Sequence, residues 1–173
     1  METNTNIVTL HNLLDYNAGR FTSAEAELKR CLPEWIKEAS SIQLKVVIQE
    51  YLGLAVEHIR RIERFIEDEN LNFISSSDPV MLALISDIGD GLACCADAAV
   101  KDACILAGIQ LINHYKISKY GTATAYANNL SLSRAGMLFH GLEMDEKQID
   151  GRLSQLAGLE VNNSAATPLA IPA

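Results

Sequence analysis

The stretch that most constrains this chain runs from Leu106 to Tyr126 and reads as one long helix with an interrupted apolar stripe. Leu106, Ile109, Asn113, Ile117 and Tyr120 fall three or four residues apart, the spacing that puts side chains on one helical face. The stripe is apolar except at its middle, where an asparagine stands. A polar group buried without a partner costs free energy, so that asparagine needs partners from neighbouring helices. Two other helices carry a carboxylate at the matching point of their own stripes. A helical bundle with a polar centre is the architecture that accommodates all three.

The remaining helices follow from the same periodicity. Ile7, Leu10, Leu14, Phe21, Leu28, Leu32 and Trp35 trace a near-heptad stripe on a first helix, with Pro33 expected to kink it or start a new turn. Ser40 and Ser41 mark a break and offer an N-cap. Leu44, Ile48, Leu52, Ala55, Ile59, Ile62 and Ile66 line one side of a second helix, whose other side is charged. Asn70 to Ser77 reads as a loop. Asp78-Pro79 supplies an N-cap and a first-position proline for a shorter helix, and Asp97 restarts the chain into the long one. Asn128 and Asn129 suit a left-handed exit. A last helix begins at Ser131 or Ser133, buries Ala135, Leu138, Leu142, Ile149, Leu153 and Leu156, and stops at Gly158. The spacing thus predicts an all-α fold, an up-and-down four-helix bundle with one additional short helix. Residues 1–6 read as a frayed N-terminus, 7–158 as the bundle and 159–173 as a flexible tail.

Composition narrows the function classes. The net charge of −8 lacks the basic surface that phosphate binding needs, which excludes nucleic acid as a partner. No apolar run reaches about 18 residues, so no membrane-spanning helix is expected. The N-terminus METNTNIVTL lacks the pattern of a signal peptide, and the chain reads as cytoplasmic. Cys31, Cys94, Cys95 and Cys104 match no zinc spacing and read as small apolar residues on helices.

Glu25 lies four residues after Phe21 and three before Leu28; Glu146 lies four after Leu142 and three before Ile149. Both therefore fall on an apolar stripe, either inward or at an edge that reaches solvent. Inward carboxylates on several helices are how bundles hold a pair of metal ions. His114 sits beside the Asn113 stripe and is a candidate ligand, although a histidine there also packs or is solvated without one. Glu57 and His58 are adjacent and point about 100° apart, so they do not aim at one ion together. Nucleophile motifs, phosphate loops and paired zinc histidines are absent from the sequence.

The segment HYKISKYGTATAYANNL, from His114 to Leu130, resembles the EHYEIAxYGTLxxxAExL signature of the YciE/YciF-type bacterial stress proteins. SAEAELKRCLPEWIKEASSIQLK, VEHIRRIERF, DPVMLALISDIGDGL and DEKQIDGRLSQLA resemble the corresponding family segments in the same order. The resemblance covers roughly residues 7–157. It implies a ferritin-like bundle, a homodimer, a link to stress, and metal ligands on the four long helices. Carried over position by position, the first-helix glutamate is Glu25 and the last-helix acidic cluster is Asp145 and Glu146. The second-helix ligands fall on Gly53 and Val56. The third-helix Glu-His-Tyr-Glu falls on Asn113, His114, Tyr115 and Lys116, so both carboxylates are replaced. Lys116 either points inward, where it can pair with Glu25 or Glu146, or snorkels outward.

The first reading is therefore a divergent ferritin-like stress-associated protein with a largely degenerate di-metal site, no bound cofactor and a structural or interaction role with an unspecified protein partner. The alternative is an iron- or other divalent-metal-binding oxidoreductase with atypical ligands centred on Glu25, His114 and Glu146, with Glu57 or His58 recruited by a shifted helix. A third is a helical adaptor that binds through its outer faces. If the centre holds no metal, Glu146→Leu is expected to stabilise the chain.

Overall fold

The computed structural model of the chain describes residues 7–69 and 76–166, and every regular element among them is helical. The order is α1 (Leu10–Ala18), α2 (Phe21–Glu38), α3 (Ile42–Asp68), α4 (Pro79–Cys94), α5 (Ala98–Asn129) and α6 (Ser133–Leu156), then a π-helical turn (Ala157–Val161) and α7 (Asn162–Ala165). The long helices α2, α3, α5 and α6 form the bundle, and α4 packs against α2 and α5.

Three helix starts follow the expected capping chemistry. Ser41 Oγ accepts from Leu44 N, Asp78 accepts from Val80 N and Met81 N, and Asp97 accepts from Ala99 N and Val100 N. The first helix differs from expectation. Its stripe is shared by two helices that break at Gly19-Arg20, while Pro33 lies inside α2 without ending it. Leu32 and Trp35 are buried on either side of Pro33, and that packing outweighs the loss of one backbone donor. At the end of α5 the left-handed residue is Ser131 (φ 58), not an asparagine. Gly158 is not a stop: the helical path continues to Ala165, because Val161 is buried in the core and Glu160 accepts from Ser41 Oγ at 2.7 Å. The expected frayed terminus, most of the expected loop and the last part of the expected tail lie outside the described residues.

The core is in two parts, and their membership fixes the direction of each helix. One part takes the second half of α2, the first half of α3, the first half of α5 and the end of α6, with Met81 and Ile88 of α4. The other takes Phe21 at the start of α2, Ile62 late in α3, Tyr120 to Ala127 late in α5 and Ala135 to Leu142 early in α6, with Leu14 and Ala18 of α1. So α2 and α3 form one antiparallel hairpin and α5 and α6 another. Helices α3 and α5 run the same way, so the chain returns along the bundle between them, the single long crossover of ferritin-like folds, and α4 is the helix of that return among the described residues.

The α2–α3 turn is fastened to α5 by one carboxylate. Asp102, almost fully buried, accepts from Ser40 N at 2.7 Å, Ser40 Oγ at 2.5 Å and Ser41 N at 2.8 Å. Its loss strands two backbone donors. Asp102→Ala is expected to lower the unfolding free energy by about 2–4 kcal/mol, read from urea denaturation.

Candidate functional site

Between the two parts of the core lies one polar layer, and all four long helices contribute to it. Helix α2 supplies Glu25, α3 supplies Tyr51 and His58, α5 supplies Asn113, Lys116 and Tyr120, and α6 supplies Glu146; none is more than 2% exposed. Each sits in line with its helix's apolar stripe, so the packing that buries the stripe also drives the polar group inward.

Lys116 is at the centre. Its Nζ lies 2.9 Å from each Glu25 carboxylate oxygen and 2.5 Å from Glu146 Oε1. It also stands 4.7 Å from the centroid of the Tyr51 ring. Tyr51 donates its hydroxyl to Glu146 Oε2 at 2.7 Å, and Tyr120 donates to Glu25 Oε1. Asn113 Nδ2 donates to Glu146 Oε2 at 2.8 Å and to the Glu146 carbonyl at 2.9 Å. His58 Nδ1 lies 3.1 Å from Glu25 Oε1 and 3.4 Å from Glu146 Oε1, contacts that make it the donating nitrogen. On the other side His58 Nε2 lies 3.4 Å from Asp145 Oδ2, which Arg61 holds at 2.6 Å. Asn113 Oδ1 is buried with no hydrogen-bond partner among the described residues.

The electrostatics follow from burial and this geometry. Burial pushes the Glu25 carboxyl up, but the charge of Lys116 and the contacts from His58 and Tyr120 together hold it below the ordinary carboxylate value. Burial and the neighbouring Glu25 charge leave the Glu146 carboxyl raised, despite Lys116. Burial disfavours the charged form of Lys116, yet the two glutamates outweigh it and raise the ammonium's pKa. Tyr51 and Tyr120 are pushed well up, first by burial and then by both glutamates.

Of the residues singled out in the sequence, Glu25 and Glu146 meet at this centre. His114 does not: its side chain is 62% exposed on the outside of α5 and faces Asp150 at 2.8 Å. The histidine in the centre is His58, three residues from the buried Ala55. Gly53 and Val56, the positions suggested for the second-helix ligands, are exposed. On α5 the inward residue is Lys116, with Ile117 beside it only half-buried. Periodicity carries a signal for the inward place of both His58 and Lys116. Tyr51, Ala55, His58 and Ile62 are spaced four, three and four apart, and Lys116 is three after Asn113 and four before Tyr120.

A ferritin-like metal pair is held by one glutamate from each of two helices and a Glu-x-x-His from each of the other two. Glu25 fills one single-glutamate place, and Asn113 stands in the other. Ala55-x-x-His58 and Glu146-x-x-Ile149 stand where the two pairs would be, with Ala55 and Ile149 buried. Glu25, His58 and Glu146 bring donor atoms within 4.8 Å of one another. That set lacks the anions a pair of divalent ions needs, and the ammonium of Lys116 sits against both carboxylates where a cation would bind. The residues present do not fit a metal pair.

Fold and centre together define a ferritin-like helical protein. The chain belongs to the DUF892 family, a domain of unknown function, which matches residues 9–166. It is 28% identical over 161 residues to Protein YciF of Escherichia coli K12, covering 92% of this chain and 97% of that protein. The crystal structure of the E. coli stress protein YciF superposes with a TM-score of 0.83 at 26% identity, covering 93% of this chain and 100% of that one. YcfI of Rhodopseudomonas palustris also gives 0.83, at 24% identity over 87% of this chain and 96% of that one. A two-domain protein of Anabaena variabilis, with DJ-1/ThiJ/PfpI-like and ferritin-like domains, shares the fold over 96% of this chain and 41% of its own, at 15% identity and a TM-score of 0.59.

Glu146 has four partners, so the stabilisation expected for Glu146→Leu gives way to a loss: Lys116, Tyr51 and Asn113 would each lose an acceptor. Lys116→Met leaves two buried carboxylates without their cation, and is expected to lower stability by about 3–5 kcal/mol in urea unfolding. The pH dependence has a definite sign. A raised pKa for Lys116, Tyr51 and Tyr120 gives stability that is complete below their ordinary values of 10.5, 10.0 and 10.0 and is lost as pH rises through the folded values. Melting temperature is expected to fall above about pH 10, more shallowly in Lys116→Met. At the acid end, Glu25 loses its contribution as pH falls and Glu146 gains, so the two oppose each other.

Proposed function

We propose that this protein is a ferritin-like bundle in which an internal lysine ammonium takes the place of the metal pair, leaving a structural or interaction role and no oxidoreductase activity. The observation that carries this reading is the position of Lys116 Nζ, 2.9 Å from Glu25 and 2.5 Å from Glu146. An ammonium so placed neutralises the carboxylates, repels a divalent ion and fastens α2 to α5 and α6. It does for the fold what a metal does elsewhere, without redox chemistry. The likeness to a stress protein of E. coli supports a part in stress physiology. We take it to be a cytoplasmic protein, and a homodimer on the family resemblance. Among the described residues no helix is long and apolar enough to cross a membrane.

A second reading rests on one observation, the convergence of Glu25, His58 and Glu146 donor atoms within 4.8 Å. If Lys116 swings out, those three form a site for a single divalent ion. Protein purified from iron-supplemented cells distinguishes the readings by metal content and by oxygen uptake with ferrous iron. The expected result is no stoichiometric metal and no uptake above the protein-free rate. One iron per chain or more, lost in Glu25→Ala, would overturn the proposal. Lys116→Glu, which exchanges the internal cation for an anion, is expected to raise divalent-metal retention above that of the unaltered chain.

A further inference from the structure

Three of the four cysteines, far from any zinc spacing in sequence, meet at the corner between α4 and α5. Cys94 ends α4 and is exposed, Cys95 follows as its C-cap, and Cys104 lies in the second turn of α5; Cys31 is buried elsewhere. Cys95 Sγ donates to the Gly91 carbonyl at 3.3 Å. A Cβ added at Gly91 would stand 3.3 Å from Cys104 Sγ. Both sulfurs therefore press on the same residue from two helices. Both are half-buried, within reach of a small reagent. Nothing in the polar centre uses them.

We propose that Cys95 and Cys104 form an oxidative modification site that reacts with small hydroperoxides and closes to a reversible disulfide joining the end of α4 to α5. The two sulfurs have different surroundings. Lys101, one turn into α5 and paired with Glu38 at 2.7 Å, carries its positive charge close to Cys95. Cys104 is the poorer first nucleophile. Burial, the neighbouring Cys95 and the Asp87 charge all push its thiol up.

The chemistry balances in two steps. The Cys95 thiolate attacks one peroxide oxygen, the O–O bond breaks, and the departing oxygen takes a proton and leaves as water or an alcohol. Cys95 is then a sulfenic acid. Cys104 Sγ attacks that sulfur, the S–O bond breaks, and hydroxide leaves as water with the Cys104 proton. Two thiols lose two electrons and two protons, and the peroxide is reduced by the same two electrons. A thiol reductant reverses the change. The conformational cost is small, because both sulfurs already approach Gly91.

The test uses the full chain and hydrogen peroxide, followed by alkylation of free thiols, tryptic digestion and mass spectrometry. Lys101 lies between the two cysteines in sequence, so cleavage there puts them on separate peptides that stay joined only through the disulfide. The expected result is a Cys95–Cys104 linked pair in the monomer, kept in Cys94→Ser and Cys31→Ser, lost in Cys95→Ser and Cys104→Ser, and removed by dithiothreitol. Fragment ions that separate Cys94 from Cys95 within the linked peptide 65–101 decide the matter on the unaltered chain, even if a serine variant folds poorly. The proposal is overturned if the joined peptides are absent while Cys94 is oxidised to higher acids or links two copies. It is equally overturned if the link survives Cys95→Ser, which would assign the pairing to Cys94.

Discussion

The structure depends on one buried ammonium held between two buried carboxylates. Taking three such groups out of water costs several kcal/mol each, and mutual attraction offsets this only when the remaining hydrogen-bonding capacity is also met. Here Tyr51, Tyr120, Asn113 and His58 supply donors to the two carboxylates, and Lys116 contacts both. Because those groups come from four helices, the layer fixes the axial register of all four at once. It divides the apolar core in two, and each part excludes water from one side of the layer. Tyr120 belongs to both regions: its ring packs edge-on against Phe21 at 5.1 Å while its hydroxyl reaches Glu25.

The same arithmetic explains why the centre is unsuited to a metal pair. A full ferritin-like set places four glutamates and two histidines around the ions. This chain keeps two glutamates and one histidine, and adds a cation. The Lys116 ammonium already offsets much of the charge of the two carboxylates it touches. A second set of positive charges has little left to balance it. Membership of the DUF892 family and the likeness to YciF describe the frame, and Ala55, Asn113, Ile149 and Lys116 set what the centre of this chain can hold.

Helix existence, the caps at Ser41, Asp78 and Asp97, and the inward carboxylates Glu25 and Glu146 were legible because a 3.6-residue period over long segments leaves little choice of buried face. What escaped was phase. On α3 the apolar Leu52 and Ile59 drew the stripe one position away from Tyr51 and His58, which are the buried pair. On α5 Ile117 drew it away from Lys116, because lysine is ordinarily a surface residue and only its partners make burial tolerable. His114 resembled a ligand by type and motif, yet it lies one position off the buried face, and on a helix one position is a quarter turn. The thiol cluster was hidden for another reason. Cys95 and Cys104 are brought together by the α4–α5 corner, whose geometry no local periodicity encodes.

The most direct test of the central claim is a crystal structure of protein grown with excess ferrous iron, with anomalous scattering collected at the iron edge. The account predicts no anomalous peak within the bundle, and Lys116 Nζ within hydrogen-bonding distance of both Glu25 and Glu146. A pair of strong peaks bridged by those two carboxylates, with Lys116 turned away, would contradict it.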